Sequence, residues 1–290
     1  MSGGQAQRVA LAPIQAEDLN AVSAFLHEHL NPRVSASSWR ALLRPPWGRV
    51  GPNSGFQLTE DGRIVGVYVA VYSERNRDGA SQAVCNLAAF CVLPDHRSHS
   101  LRLMRACLSQ KGYLFTDLSP SGNVPAINAR LGFAQLDTRG RLVLNTPAVR
   151  RRARLSRDPA LIAATVRADD ARIYQDHREA PAARHLIVTL GDRYGYLLYR
   201  RDRRKHLPLF ASPLHVGGDR ALMAEAWPQI SSHLLARGLV ATIAERRVLD
   251  FDARGVGWDL PRPRPKMFRG GALDPADVDY LYSELTLVQW

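Results

Sequence analysis

All three thiols of this 290-residue chain lie in one stretch, residues 84–133. Cys85, Cys91 and Cys107 supply thiols there, and His96 and His99 stand near enough in sequence to serve one of them as a base. The thiols are odd in number and form no C-x-x-C pair, so the spacing predicts neither a disulfide framework nor a zinc site. All three lie in apolar segments and read as buried, reduced thiols, and the two histidines read as solvated loop residues. His27-Glu28-His29 has metal-ligating side chains, but adjacent helix positions face different ways and the i, i+4 spacing of a zinc helix is missing. No metal is expected.

The net charge is +12, mostly from arginine. Such a balance suits polyanions: a phosphorylated cofactor, nucleic acid or an anionic membrane. The basic residues are scattered except for Arg150-Arg151-Arg152-Ala153-Arg154 and Arg200-Arg201-Asp202-Arg203-Arg204-Lys205. No aromatic–basic interleaving accompanies them, so nucleic acid is not the expected partner. No apolar run approaches the roughly 18 residues that span a bilayer. The first residues carry no charged-then-apolar signal pattern. A cytoplasmic protein with no membrane partner is expected.

Periodicity and turn chemistry position these groups. Residues 8–14 read as a strand, and 16–30 as an amphipathic helix with Leu19, Val22, Phe25, Leu26 and Leu30 on one face. Residues 35–43 make a second helix, stopped by Pro45-Pro46. Residues 55–58 and 63–72 form a hairpin around Asp61-Gly62. An apolar strand, 84–93, ends at Pro94; the polar loop 95–99 opens a helix; a strand ending at Asp117 and a short helix closed by Leu131-Gly132-Phe133 follow. Residues 133–137 and 141–145 read as a further hairpin around Arg139-Gly140. The order is β-α-α-β-β-β-α-β-α-β-β. Residues 147–157 read as a linker. In the second half, Asp158-Pro159 starts a helix, 185–190 and 194–199 form a hairpin around Gly191-Asp192, 207–214 is extended, 221–235 is a helix and 239–243 a strand. Three prolines, at 261, 263 and 265, precede a final apolar segment, 280–290, expected to dock on the body.

On Val92-x-Pro94, the loop, Asn123, Ala126, Ile127 and Leu131-Gly132-Phe133, residues 8–146 resemble the GNAT (GCN5-related) N-acetyltransferases. The resemblance implies a mixed α/β fold: a GNAT-like acyltransferase domain over 1–146 and a second α/β domain over 158–290, either degenerate GNAT-like or an unrelated accessory. It implies transfer of an acyl group from acetyl-CoA or another acyl-CoA to an amine, the acceptor lying between the N-terminal helices and the sheet. The family's loop, Q/R-x-x-G-x-G/A at a helix N-terminus, binds pyrophosphate through backbone amides. Here Arg97 fills its first position, Ser98 and His99 follow, Ser100 replaces the first glycine, Leu101 lies between, and Arg102 replaces the second. Arg102 either clamps a phosphate or fills its space. Asn123 belongs to the cofactor set. The backbone of Phe90, Cys91 and Val92 would hold the oxyanion and pair with the pantetheine arm. Asn128 stands where many members place the tyrosine that protonates the leaving thiolate, and Tyr113 is its neighbour of unknown placement. His96, His99 and Asp117 are the candidate bases. The departures at Ser100, Arg102 and Asn128 also fit a GNAT-like protein that senses or scaffolds without catalysis; a third reading is an RNA-associated enzyme.

Overall fold

The structure, a computed structural model, describes residues 9–48, 50–77, 80–148, 152–204, 207–261, 263–270 and 274–290. Arg8, Arg150, Arg151 and Lys205 of the segments named above lie outside the described residues. In chain order come β1 (Ala10–Pro13), α1 (Leu19–His29), α2 (Ala36–Leu43), β2 (Gly55–Glu60), β3 (Arg63–Arg77), β4 (Ala80–Val92), α3 (Ser100–Leu108), β5 (Tyr113–Asp117), α4 (Val124–Arg130) and β6 (Ala134–Gln135). Then follow β7 (Gly140–Leu144), β8 (Arg154–Ser156), α5 (Pro159–Thr165), α6 (Ala168–His177), β9 (Arg184–Leu190), β10 (Arg193–Arg204) and β11 (Leu207–Gly218). The chain ends with α7 (Arg220–Glu225), α8 (Trp227–Leu235), β12 (Ala241–Glu245), α9 (Arg246–Leu249), β13 (Gly257–Asp259), β14 (Met267–Arg269) and α10 (Glu284–Leu287).

These elements form two units. The first holds Met1–Ala134, Met267–Leu273 and Tyr282–Glu284; the second holds Gln135–Lys266, Asp274–Leu281 and Leu285–Trp290. The first sheet runs β1-β2-β3-β4-β5-β14-β6. The second, read from its other edge, runs β8-β9-β10-β11-β12-β7-β13. The two orders are equivalent. Each has one parallel pair, β4 with β5 and β11 with β12, and each fifth strand takes an antiparallel sixth, β14 or β7. The sixth strand of the first sheet, β14, returns to it after residues 135–266 of the second unit, whereas β7 lies near the start of that segment. The second unit therefore repeats the topology of the first.

The N-terminal segment of the first unit ends at Ala134, where a boundary at 146 was expected. Residues 133–137 and 141–145 do not pair as a hairpin. Gly140 is a strand residue pressed on β12, and a Cβ there would lie 2.5 Å from the Ala244 carbonyl oxygen. The lack of a side chain, read from sequence as a turn signal, serves a close backbone approach instead. Arg154–Ser156, expected within a linker, pairs with β9 as an edge strand. The helix expected over 221–235 breaks at Ala226 into α7 and α8. Pro228 in the first turn of α8 has no N–H to continue the ladder.

Local chemistry explains the elements that matter to the first unit. Ser35 caps α2 by accepting a hydrogen bond from the Ser38 amide. Asp61 and Gly62 both have positive φ, 48° and 77°, as a two-residue hairpin between β2 and β3 requires. Leu103, Met104 and Cys107 on α3 bury against Tyr68, Tyr72, Leu87 and Phe115. Full burial of such a side chain is worth about 1.5–3 kcal/mol. Tyr113, Phe115 and Asp117 share the face of β5 turned to α3 and α4, because strand side chains alternate. Leu114 and Thr116 share the other. At the start of β2, Gly55 has φ of 103°, and a Cβ there would lie 2.0 Å from the Tyr68 carbonyl oxygen. Gly55→Ala is expected to destabilise the protein by about 3 kcal/mol or more through this clash and the strained φ; urea denaturation would measure it.

Candidate active site

The parallel pairing of β4 with β5 is short. It runs from Ala83 and Tyr113 to Asn86 and Thr116, and there it stops. Just beyond, Val69 pairs with Ala89 and Ala70 with Leu87, so Ala88 is an extra residue in β4. Such a β-bulge bends a strand and strengthens its twist. Leu87–Val92 continues beside β3 while its other edge parts from β5. Leu93 donates its amide to the Val65 carbonyl, at 2.9 Å, which fixes the phase of the ladder. Cys91 and Ala89 fall on bonded positions like Leu93, so their amides are used by β3; those of Phe90 and Val92 point to the parted edge. Of the three residues expected to present backbone here, Phe90 and Val92 turn their amides to this edge and Cys91 does not.

Two buried carboxyl groups stand where the strands part. Asp117, at the end of β5, is 5% exposed and accepts a 2.8 Å hydrogen bond from the Asn128 side chain. Sequence reasoning had both residues as separate candidates, and the fold brings them together. Glu284, with no exposed surface, arrives on the C-terminal return segment. It accepts hydrogen bonds from Asn86 Nδ2 at 2.5 Å and Ser119 Oγ at 2.6 Å, and Thr116 Oγ1 donates to Asn86 Oδ1 at 3.0 Å. Thr116 and Asn86 lie on the sheet face opposite Asp117, so the two carboxyl groups approach the gap from opposite faces. Burial, then the nearby Glu284 charge, pushes the Asp117 carboxyl up to about 7, against hydrogen bonds from Asn128 and the Ser119 backbone. Asp117 is thus poised to carry or release a proton near neutrality.

Two further polar atoms at this site have no partner among the described residues: the hydroxyl of Tyr68, which is 2% exposed, and Oδ1 of the fully buried Asn128. Burial and then the Asp117 charge raise the Tyr68 phenol well above its ordinary range, so it stays protonated and keeps an O–H to donate. Glu284 was invisible to sequence reasoning. It lies more than 160 residues from Ser119 and in no motif; only its position in an apolar tail marked it, since a carboxylate among buried residues needs partners.

The loop after β4 departs from the expected cradle. Residues Pro94–His99 form 3-10 turns that run directly into α3, and the Ser100 amide donates to the Arg97 carbonyl. Helical bonding thus uses amides that a phosphate would need. Ser98 is exposed; His99 and Ser100 are half-buried; Leu101 is exposed. Arg97 is exposed with no ion pair among the described residues. Arg102 neither clamps the loop nor fills it: its guanidinium donates to the Val9 carbonyl at 2.9 Å. Arg102→Ala is expected to leave CoA affinity within about twofold while costing about 1 kcal/mol of stability; titration calorimetry and denaturation check the two halves. His96 hydrogen-bonds Glu60 at the end of β2, 3.0 Å away, so it closes the loop on the sheet and is not gathered with Asp117. Tyr113 opens β5, four residues from Asp117 and about 13 Å along the strand, and packs on Tyr72. It is no substitute for the missing tyrosine. Asn123 is exposed at the N-cap of α4 and makes no side-chain cap.

The thiols are inert. Burial pushes Cys85 up to about 12 and Cys91 up to about 11, and Cys107 well above its ordinary value. Among the described residues no group of three or more His, Cys, Asp or Glu could hold a metal ion, and no helix is long and apolar enough to cross a membrane. In the second unit the bulge recurs between Leu198 and Tyr199 of β10 and their partners in β11. There Asp219 caps α7, its carboxylate bonded to the Leu222 amide and paired with Arg193 at 2.6 Å. A carboxylate at that helix N-terminus opposes a phosphate.

No protein-family model and no curated protein matches the chain. Solved structures do. A GCN5-related N-acetyltransferase from Anabaena variabilis ATCC 29413 superposes with a TM-score of 0.57 at 10% identity, covering 90% of this chain and 72% of its own. One from Kribbella flavida gives 0.54 at 14%, covering 92% and 72%. A protein of Enterococcus faecalis V583, described as a probable N-acyltransferase, gives 0.58 at 13%, covering 90% and 72%. At such identities the likeness is one of fold. The matches extend over both units.

Proposed function

We propose that this chain, which has the fold of the GCN5-related N-acetyltransferases in a divergent sequence, is an N-acyltransferase that moves an acyl group from acyl-CoA, acetyl-CoA being the simplest, to an amine. One observation carries the reading: β4 parts from β5 beyond Asn86 and Thr116, leaving the Phe90 and Val92 amides on an open edge beside two buried carboxyl groups. That edge can pair with a pantetheine arm as an added strand would, and its amides can hold the oxyanion. Arg97, Ser98 and Asn123 are the side chains left to meet the phosphates.

The two carboxyl groups divide the proton transfers by face. Glu284, on the Asn86 and Thr116 face, takes the proton of the amine as its nitrogen bonds to the thioester carbon. The Phe90 and Val92 amides hold the negative oxygen. Asp117, bonded to Asn128 on the leaving-group side, gives its proton to the sulfur as the carbon–sulfur bond breaks. Proton return from Glu284 to Asp117 through solvent restores the site. Asn128, an amide, orients Asp117 and transfers no proton itself. Glu284 thus takes the base role expected of Asp117, His96 or His99. The first unit is the catalytic one in this reading, because Asp219 blocks the matching position of the second.

Calorimetric titration with acetyl-CoA and CoA tests it. Binding below about millimolar is expected, weakened by Arg97→Ala by about tenfold or more. No binding at millimolar acetyl-CoA would sink it. A second reading, a protein of this fold that senses or scaffolds without catalysis, is favoured by Asn128 standing in place of a proton-donating tyrosine; acetyl-CoA binding with no hydrolysis or transfer to any of a broad amine panel would support that instead.

A further inference from the structure

The basic run at residues 200–204 has no part in the site above. Arg200, Asp202 and Arg204 alternate along β10 and share one face of the second sheet, opposite the core that holds Tyr199 and Ala211. Arg201 turns to the core face and donates to the Arg237 carbonyl at 2.9 Å. Arg264 reaches Asp202 from the segment before β14. One of its terminal nitrogens donates to Asp202 Oδ1 at 3.0 Å and the other to the Arg203 carbonyl at 2.7 Å. Its guanidinium is thus held beside the backbone that carries Arg204. Both Asp202 oxygens are engaged, since the Arg203 amide and Ser212 Oγ also donate to them, at 2.7 and 3.1 Å.

The neighbouring charges have partners. Lys266 pairs with Glu245, whose other oxygen accepts from Tyr280 at 2.6 Å. Arg247 lies over the Tyr280 ring, and Arg200 donates to the Val288 carbonyl at 3.2 Å. Arg204 differs. It is half-buried, its Nε is out of reach of solvent, and its guanidinium has neither a hydrogen bond nor an ion pair among the described residues. Burial and then the Arg264 charge act against its own charge, while Asp202 and Glu245 act for it. A guanidinium does not shed its proton to escape this. Five cations, Arg200, Arg204, Arg247, Arg264 and Lys266, thus stand around two carboxylates, Asp202 and Glu245. That surplus suits a dianion better than a single negative charge. Two guanidinium forks with N–H groups to spare suit a group with several oxygens. A phosphate monoester has three terminal oxygens and about 1.5 to 2 negative charges near neutrality. A nucleic-acid backbone phosphate carries a single charge.

We propose that Arg204 and Arg264 form a phosphate-binding site on the second unit, and that its ligand is a phosphate monoester, held by its terminal phosphate. The site needs neither acyl donor nor amine, so it stands apart from the acyltransfer reading. The test is calorimetric titration of the full chain with phenyl phosphate and with methyl phenyl phosphate, its singly charged diester. A pH of about 8 keeps the monoester dianionic, and a fixed chloride concentration holds general screening constant. Phenyl phosphate is expected to bind about tenfold or more tightly than the diester, and Arg204→Gln to lose about tenfold or more of that affinity. Without ligand, the thermal midpoint of Arg204→Gln should not fall, because the arginine has no bond to lose and its half-buried charge is removed. Arg201→Gln takes the same charge from the opposite face and should leave the affinity within about twofold. A single-stranded oligonucleotide with hydroxyls at both ends should not displace phenyl phosphate. No phenyl phosphate binding at about 10 mM, unaltered binding in Arg204→Gln, equal losses in Arg204→Gln and Arg201→Gln, or equal binding of monoester and diester would each overturn the proposal. Displacement by the oligonucleotide would assign the site to a nucleic-acid backbone and overturn the monoester.

Discussion

Asp117→Asn is expected to cost turnover and to raise stability at alkaline pH. The loss of a positioned proton donor lowers rates by about 10²–10⁴, and an amide at this position has no proton to give. The stability change has the opposite sign. The Asp117 carboxyl titrates near 7 in the folded chain, above its ordinary 3.8. Between those values the folded state holds a proton that the unfolded state has released, so stability falls as pH rises through this window and is fully lowered above about 7. The interval corresponds to a cost on the order of 4 kcal/mol at pH 8, and nothing at pH 3. Asn128 Nδ2 can still donate to the new amide oxygen. The variant should therefore melt well above the wild type at pH 8 and level with it near pH 3, in scanning calorimetry. As an acid in turnover, Asp117 also makes the wild-type rate fall as pH rises through about 7. A rate unaffected by Asp117→Asn, or a variant less stable than wild type at pH 8, would contradict this assignment.

Glu284→Gln is the second large effect expected. The side chain keeps its volume and can still accept from Asn86, so folding should survive. The rate should drop by about 10²–10⁴ because the attacking amine loses its base. The pH profile carries a separate signature. The Glu284 charge is the second cause holding Asp117 up, after burial. Removing it lets Asp117 release its proton at lower pH, so the alkaline limb of the residual rate should move down. A variant with reduced rate but an unmoved limb would show that Glu284 acts only through folding. An unchanged rate would show that the base lies elsewhere.

Much of the first unit was legible in the chain alone. The Asp61-Gly62 turn, the helices expected over 16–30 and 35–43 and the strand–loop–helix passage through Pro94 follow from rules acting within a few residues, where side-chain period and backbone steric limits decide the outcome. The same rules misread Gly140, because a missing Cβ signals a turn and a close strand contact equally. The family resemblance offered Asp117 and Asn128 as candidates, though not as partners. The resemblance left Arg102 either clamping a phosphate or filling its space, and its reach ends on the Val9 carbonyl. It also left His96 among the candidate bases, and Glu60, thirty-six residues earlier, claims it.

The sequence by itself determined most of the local elements of the first unit, since periodicity and turn chemistry act within each segment. Only the tertiary structure decided that β14 returns to the first sheet, where β4 leaves β5, and which carboxylate lies near Asp117. Those are long-range matters. β14 and Glu284 reach the first sheet from more than a hundred residues away, and a buried charge 198 positions from its hydrogen-bond donor leaves no trace in any local pattern. What fixes them is the need to pair every strand edge and satisfy every buried polar group at once, a condition that applies to the folded unit as a whole.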